Sequence, residues 1–239
     1  MSASREWLLA LDLSGPAGIL FLEGPRGLFP RAVEAGSRVS ALFVAASAAA
    51  SEAGISPGEI GLVGVARGPG SFTGVRVAVM AAKALAYALG APLVAPTSLE
   101  AAAAAVGEAR DAALVAMDAL RGEVYHALYR TAGGTPEVLH GPGVSTPEAV
   151  VEQIPAWEQE VGGALGILGS GVEAYPGVWP RHLILGGIDL PDAAALARLC
   201  RWHLAVGGTV DPMSLLPLYI RRPDARERFA AGEGGAPCG

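Results

Sequence analysis

Residues 59–99 read EIGLVGVARGPGSFTGVRVAVMAAKALAYALGAPLVAPTSL, and this stretch decides the fold. The apolar run at 62–66 predicts a buried strand. Gly68-Pro69-Gly70 breaks it, and the pattern from 72 to 89 is helical with Gly90 as its stop. A strand, a glycine turn and a helix in that order set backbone N–H groups and the positive end of a helix at the carboxyl edge of a sheet, a common way to hold an anion. The spacing, however, matches neither familiar phosphate loop. A P-loop needs Gly-Lys-Ser/Thr, whereas Gly74 precedes Val75 and Arg76; the dinucleotide fingerprint needs glycine at 73, where Thr73 stands. The plainer reading is a tight strand-to-helix connection capped by Ser71 or Thr73.

The helix carries more information than the turn. At a hundred degrees per residue, Val75, Val79, Ala82, Ala86 and Leu89 form one apolar stripe flanked by Ala78 and Leu85, suited to packing on a sheet. Arg76, Met80, Lys83 and Tyr87 form a second stripe of long side chains, and Val77, Ala81, Ala84 and Ala88 a third that is small and smooth. A helix this apolar all round is covered on more than one side, by a large core or by a partner. The alanine bias of the chain gives the same look.

Working outward, 239 residues can bury a sizeable core as two lobes. Hydrophobic residues make up 51% and charged residues 17%, a low charge that favours a surface shared with another chain. A net charge of −6 provides no basic field for gripping a phosphate backbone, so any RNA is expected to be held by another subunit. The two cysteines, Cys200 and Cys238, make no disulfide framework. The N-terminal apolar segment is broken by Asp12, Gly15 and Pro16, which argues against a signal peptide. No run is expected to span a membrane. These features suit a soluble cytoplasmic protein.

Three antiparallel strands are expected first, at 7–13, 19–22 and 28–33, then a helix at 37–53 ending at Gly54. On that helix Val39, Phe43, Ala46 and Ala50 share a face, and Ser40, Ser47 and Ser51 lie beside Val44 on another. After the central strand and helix come a strand at 92–95 and a helix at 99–106. The second half repeats the order: strands at 112–117, 123–129 and 136–144, a helix begun by Thr146-Pro147-Glu148, strands at 164–168 and 183–185, and a helix at 192–206. This is an α/β chain of two related lobes, expected at 1–108 and 109–225, with a flexible tail at 226–239.

Reacting groups are sparse. His126, His140, His182 and His203 never fall at i,i+4 or beside a second ligand, so no helical metal pair is expected. Ser71 lies outside a nucleophile elbow. Asp118, Arg121 and Glu123 read as a solvated hairpin, and Asp12 as a turn cap. An independent ATP-using enzyme would have Asp12 and Asp118 as its acidic groups.

LLALDLS at 8–14, GVARGPGSFTGVRVAVMAAKALAYALGAPLVAPTSLEA at 64–101, LVAMDALRGEVYHALY at 114–129 and PLYIRR at 217–222 together resemble the TsaB (YeaZ) family. The match covers most of the chain, and its central motif is long and specific. The resemblance implies the fold of actin, sugar kinases and Hsp70, two lobes each with a ribonuclease H-like mixed sheet. It implies a non-catalytic subunit, without cofactor or metal, of the system that makes threonylcarbamoyladenosine at position 37 of tRNA. It further implies a heterodimer with the catalytic subunit TsaD through the first two helices, a ternary complex with the ATPase TsaE, and tRNA contact only through the complex; a homodimer through the same helices is the alternative pairing when TsaD is absent. Carried onto this chain, the partner-binding residues are Val39, Phe43, Ala46 and Ala50 on the first helix. On the second they are Ser71, Phe72, Thr73, Arg76, Met80, Ala81, Lys83, Ala84 and Tyr87. The chain departs from the family at Asp12-Leu13-Ser14, where Asp-Thr-Ser is usual, and at Ser37-Arg38, where a histidine is often found. Gly166, Gly169 and Gly171 are the remnants of glycine-rich nucleotide loops, which implies degenerate nucleotide binding.

Overall fold

β1 (Trp7–Asp12) is buried along its whole length, and its alternating side chains feed two different cores. Leu9 and Leu11 point to one face of a mixed sheet, Leu8 and Ala10 to the other. The structure, a computed structural model, describes residues 5–34, 39–185 and 191–221. The first sheet adds β2 (Ala17–Gly24), β3 (Gly27–Glu34), β4 (Ile60–Val65) and β5 (Leu93–Val94). Strands β1 to β3 form an antiparallel meander, β4 runs parallel to β1, and β5 parallel to β4. α1 (Val39–Ala53) and α2 (Phe72–Leu89) cover the face of Leu9 and Leu11. α2 has the bounds its periodicity predicts. Ser71 accepts from the Gly74 N–H at its start, and Gly90 closes it in the left-handed conformation.

The second sheet repeats the plan with β6 (Ala112–Asp118), β7 (Val124–Arg130), β8 (Glu137–Ser145) and β9 (Leu165–Leu168), in the order β8-β7-β6-β9. Its outer face packs on α4 (Pro147–Val151) and α5 (Ile154–Val161), with Val150, Ile154 and Trp157 against Leu114 and Leu128. A short α6 (Ser170–Ala174) follows β9. This is the two-lobed α/β architecture that the sequence implies.

The lobes exchange helices. α3 (Ser98–Val106) follows β5, yet it lays Leu99, Ala103 and Val106 against Val115, Ala127 and Tyr129 of the second sheet. α7 (Ala193–Ala205) belongs to the second half of the chain, yet it packs Leu196, Leu199 and Cys200 against Leu8, Phe21 and Leu62 of the first. The two-residue strand β10 (Thr209–Val210) then joins the first sheet beside β5. α3, α7 and β10 therefore pack on or pair with the sheet built from the other half of the chain. The reason is burial: each sheet has two apolar faces, and the helix from the other half of the chain covers the face that the sheet's own helices leave open.

Two further expectations are corrected. At 183–185 the expected strand is reduced to one parallel bridge, in which the Ile167 N–H donates to the Leu183 carbonyl and the Leu185 N–H to the Ile167 carbonyl, because the Leu183 and Ile184 N–H groups turn back to the Pro180 and Arg181 carbonyls. α2 is long and apolar enough by composition to cross a membrane, although no such run was expected. Its Val75, Ala78, Val79, Ala82 and Ala86 are buried within the first lobe. Ser37, Arg38, the side chain of Val39 and the tail at 226–239 lie outside the described residues.

Candidate functional site

The glycines before and within α2 are explained by what lies against them. The Ser71 N–H donates to the Ser14 carbonyl at 2.7 Å. A Cβ at Gly70 would meet that same oxygen at 2.3 Å, and one at Gly74 would meet the Leu13 carbonyl oxygen at 2.1 Å. The first turn of α2 is thus pressed onto the β1–β2 turn at the Leu13–Ser14 backbone. The motif is a close backbone approach, in line with the plain reading of its spacing.

Asp12 and Asp118 end β1 and β6, equivalent strands of the two lobes, and each caps its own turn. The Ser14 N–H donates to Asp12 Oδ1 at 2.8 Å, and the Leu120 N–H to Asp118 Oδ1 at 2.8 Å. Burial pushes the Asp12 carboxyl above its ordinary value, against the opposing pull of its Ser14 hydrogen bonds. Asp118 also accepts from Tyr175 Oη at 3.1 Å, and its N–H donates to Ser170 Oγ at 3.0 Å. Between the turns lies a cleft of ≈ 630 Å³, bounded by Ser14, Pro16, Ser71, Leu120, Ser170 and Arg221. A smaller pocket of ≈ 60 Å³, sharing Ser14, Pro16 and Ser170 with the cleft, is lined by Asp12 and the α7 cap Asp192. Glu123, read from sequence as part of a solvated hairpin, is instead paired with Arg221.

The histidines have structural partners in three of four cases. His126 Nε2 lies 3.2 Å from Ser145 Oγ, His140 Nε2 2.6 Å from Glu160, and His203 Nε2 2.8 Å from Glu100, while His182 is exposed. Burial pushes the Cys200 thiol well above its ordinary value and keeps it protonated. Among the described residues no three His, Cys, Asp or Glu side chains gather as a metal cluster.

The outer surface of α2 is where large side chains are left uncovered. Phe72 is 57% exposed, Met80 61% and Tyr87 78%, and with exposed Thr73, Arg76 and Ala84 they make a ridge at intervals of three and four. The Arg76 guanidinium sits 5.0 Å from the Phe72 ring centroid. α1 lies beside α2 and adds half-exposed Phe43 and exposed Val44. Three expectations for this face change. Ala81 is fully buried, because the β4 face of α2 is wider than the stripe drawn from its periodicity. Ala46 and Ala50 lean on the core rather than outward. Lys83 is half-buried, its ammonium donating to the carbonyls of Met213 and Leu215 at 3.2 and 3.0 Å.

Sequence reasoning missed the chain segment that joins this ridge. Tyr219 packs tilted against Phe72 with ring centroids 5.5 Å apart, and Met213, 75% exposed, is held at its carbonyl by Lys83. The signal was present in the apolar and arginine-containing PLYIRR stretch, but nothing local said which surface it meets.

Residues 21–163 match the family model of TsaD, described as a tRNA N6-adenosine threonylcarbamoyltransferase. The chain is 32% identical over 189 residues to the tRNA threonylcarbamoyladenosine biosynthesis protein TsaB of Escherichia coli, covering 75% of this chain and 79% of that one. An uncharacterized Mycobacterium leprae protein is 33% identical over 84% of this chain, which spans about half (49%) of that relative's length. A solved structure of YeaZ from Pseudomonas aeruginosa superposes with a TM-score of 0.78 at 28% identity, covering 90% of this chain and 99% of that one.

Proposed function

Since the chain belongs to the TsaB (YeaZ) family, we propose that it is a non-catalytic, cytoplasmic subunit that pairs with TsaD and activates it for threonylcarbamoyladenosine synthesis on tRNA. The observation that carries this reading is the exposed ridge Phe72, Arg76, Met80, Tyr87 on a helix whose opposite face is core. Large apolar side chains grouped on one face, with an arginine among them, are the composition of an interface centre. Phe43 and Val44 of α1 widen the face. The match of residues 21–163 to the TsaD model supports a partner of related fold. Two related chains can meet α1–α2 to α1–α2, and the same face then serves a homodimer when TsaD is absent.

On this reading the subunit works by selection of conformation. Its docking face binds better to one arrangement of TsaD's lobes and raises the population of that arrangement. TsaE joins the pair, and tRNA is held by the assembled complex, consistent with the net charge of −6 here.

The test is light scattering after size-exclusion chromatography of this chain, alone and with TsaD from the same organism, with threonylcarbamoyl transfer measured on the fractions. A heterodimer active where neither chain alone is active is expected. ATP turnover by this chain alone, abolished in Asp12→Asn, would overturn the reading in favour of an independent enzyme.

A further inference from the structure

Eleven residues, 211–221, run from the first lobe to the second and are tied at both ends. Asp211 opens the segment as a turn, accepting the N–H groups of Met213 and Ser214 at 3.1 Å. Lys83 of α2 holds the carbonyls of Met213 and Leu215, and the Leu215 side chain is buried in the core beneath α2. The Leu218 N–H then donates to the Arg67 carbonyl at 2.8 Å, and the Tyr219 ring packs tilted against Phe72. Ile220 crosses to the other lobe, where it packs against the core shared by α3 and the second sheet. Arg221 ends the crossing on the β6–β7 turn. Its guanidinium donates to the Ala119 carbonyl at 2.9 Å and to the Leu120 carbonyl at 3.5 Å, and pairs with the Glu123 carboxylate.

The turn that receives Arg221 is a strained one. Leu120 and Arg121 are consecutive non-glycine residues with φ of 60° and 59°. Such residues persist where their surroundings over-determine them, and Arg221 adds a constraint from outside the lobe to the turn's own bonds, Leu120 N–H to Asp118 and Glu123 N–H to the Leu120 carbonyl. The same guanidinium forms part of the wall of the cleft between the lobes. One side of the segment therefore bears on the ridge of α2, and its end bears on the β6–β7 turn across the cleft.

We propose that residues 211–221 are a strap that clamps the two lobes, and that its exposed Met213 and Tyr219 belong to the surface that TsaD covers, so that docking and strap closure are linked. This rests on the reading of the α2 ridge as the docking face. Met213 and Tyr219 are continuous with that ridge through Lys83 and Phe72. Linkage is reciprocal: if docking holds the strap closed, a strap loosened at Arg221 must dock less tightly by the same factor.

The experiment is hydrogen exchange of the full chain, wild type, Arg221→Ala and Glu123→Gln, each free and with excess TsaD. In the free chain both variants are expected to raise exchange at 119–123 while the centre of α2 stays protected. On the wild type, TsaD is expected to slow exchange both along 72–87 and at the remote 119–123 turn. Arg221→Ala should weaken TsaD binding about tenfold, within the usual range of coupling between sites. Unchanged exchange at 119–123 in both free variants would overturn the clamp, and Glu123→Gln decides this even if Arg221→Ala fails to fold. Protection of 72–87 by TsaD with none at 119–123 would overturn the linkage and leave the docking reading standing. Absence of any complex with the wild type would overturn the docking reading and the linkage together, the free-chain arm still deciding the clamp.

Discussion

His203 on α7 and Glu100 on α3 meet at 2.8 Å, joining the two helices that the lobes exchange. Glu100 divides its carboxylate: Oε1 faces His203, and Oε2 accepts from the Thr97 N–H in the capping box that starts α3. Both side chains are mostly buried, at 20% and 15% exposure. Glu100→Ala should therefore cost about 1–3 kcal/mol, from a lost cap and an unpartnered imidazole. Chemical denaturation measures it, and His203→Ala, which spares the cap, should cost less.

Ala81 and Ala84 lie three residues apart on α2, yet they stand in opposite environments. Ala81 is fully buried among core residues of the first lobe, whereas Ala84 is exposed on the ridge. Ala81→Glu would bury an unpaired carboxylate and should abolish soluble folding. Ala84→Glu should change stability by less than about 0.5 kcal/mol, as surface substitutions do, and abolish the TsaD complex. Thermal melts and light scattering of the two variants separate these outcomes. A folded Ala84→Glu chain that still pairs would remove the ridge from the interface.

Gly70 and Gly74 predict a steeper effect than their exposed neighbours. Gly74→Ala drives a Cβ to 2.1 Å from the Leu13 carbonyl oxygen, and Gly70 combines a 2.3 Å approach to the Ser14 oxygen with φ +150°. The obstacles are backbone atoms, which cannot rotate away. Each substitution should cost more than about 2 kcal/mol, at the upper part of the overpacking range, read as a fall in melting temperature. Thr73→Ala, exposed between them, should be close to neutral.

What the sequence made legible followed local rules. α2 and its caps could be read because Ser71, the apolar stripe and Gly90 act within a few residues of one another. The equivalence of the two lobes was legible as a repeated order of strands and helices. The exchange of α3 and α7 was not, since an apolar helix face such as Leu196, Leu199 and Cys200 carries no mark of which sheet it will cover. Ala81 was misplaced for a related reason: alanine suits either a smooth contact or a tight core, and only the nearness of β4 decides. The strap was invisible because each of its anchors, Lys83, Arg67, Phe72 and Glu123, is distant in sequence from the residue it holds.

His126 gives the chain a pH response near neutrality. It is buried, its Nε2 facing Ser145 Oγ at 3.2 Å, and burial lowers its pKa below the ordinary 6.5. As pH falls below 6.5 the unfolded chain takes up a proton that the folded chain resists. Stability from this group is complete above 6.5 and is lost as pH falls through the depressed folded value. His126→Gln should flatten that part of the stability curve, followed by urea titrations across the range.

Asp12 makes the opposite contribution, and its sign discriminates between a buried turn cap and a carboxylate held charged for a cation or a phosphoryl group. Burial raises its pKa above the ordinary 3.8, so the folded chain holds this proton more tightly than the unfolded chain does. Stability from Asp12 therefore falls as pH rises from 3.8 through the raised folded value, where the folded state must accept a buried charge. Asp12→Asn keeps an oxygen for the Ser14 N–H, which now approaches at 2.8 Å, and removes the charge. Its stability should gain on the wild type as pH rises through that window, in parallel urea titrations, while TsaD pairing is unchanged. A carboxylate held charged for a cation or a phosphoryl group would behave in reverse: the wild type would gain on Asp12→Asn with rising pH, and the substitution would abolish turnover.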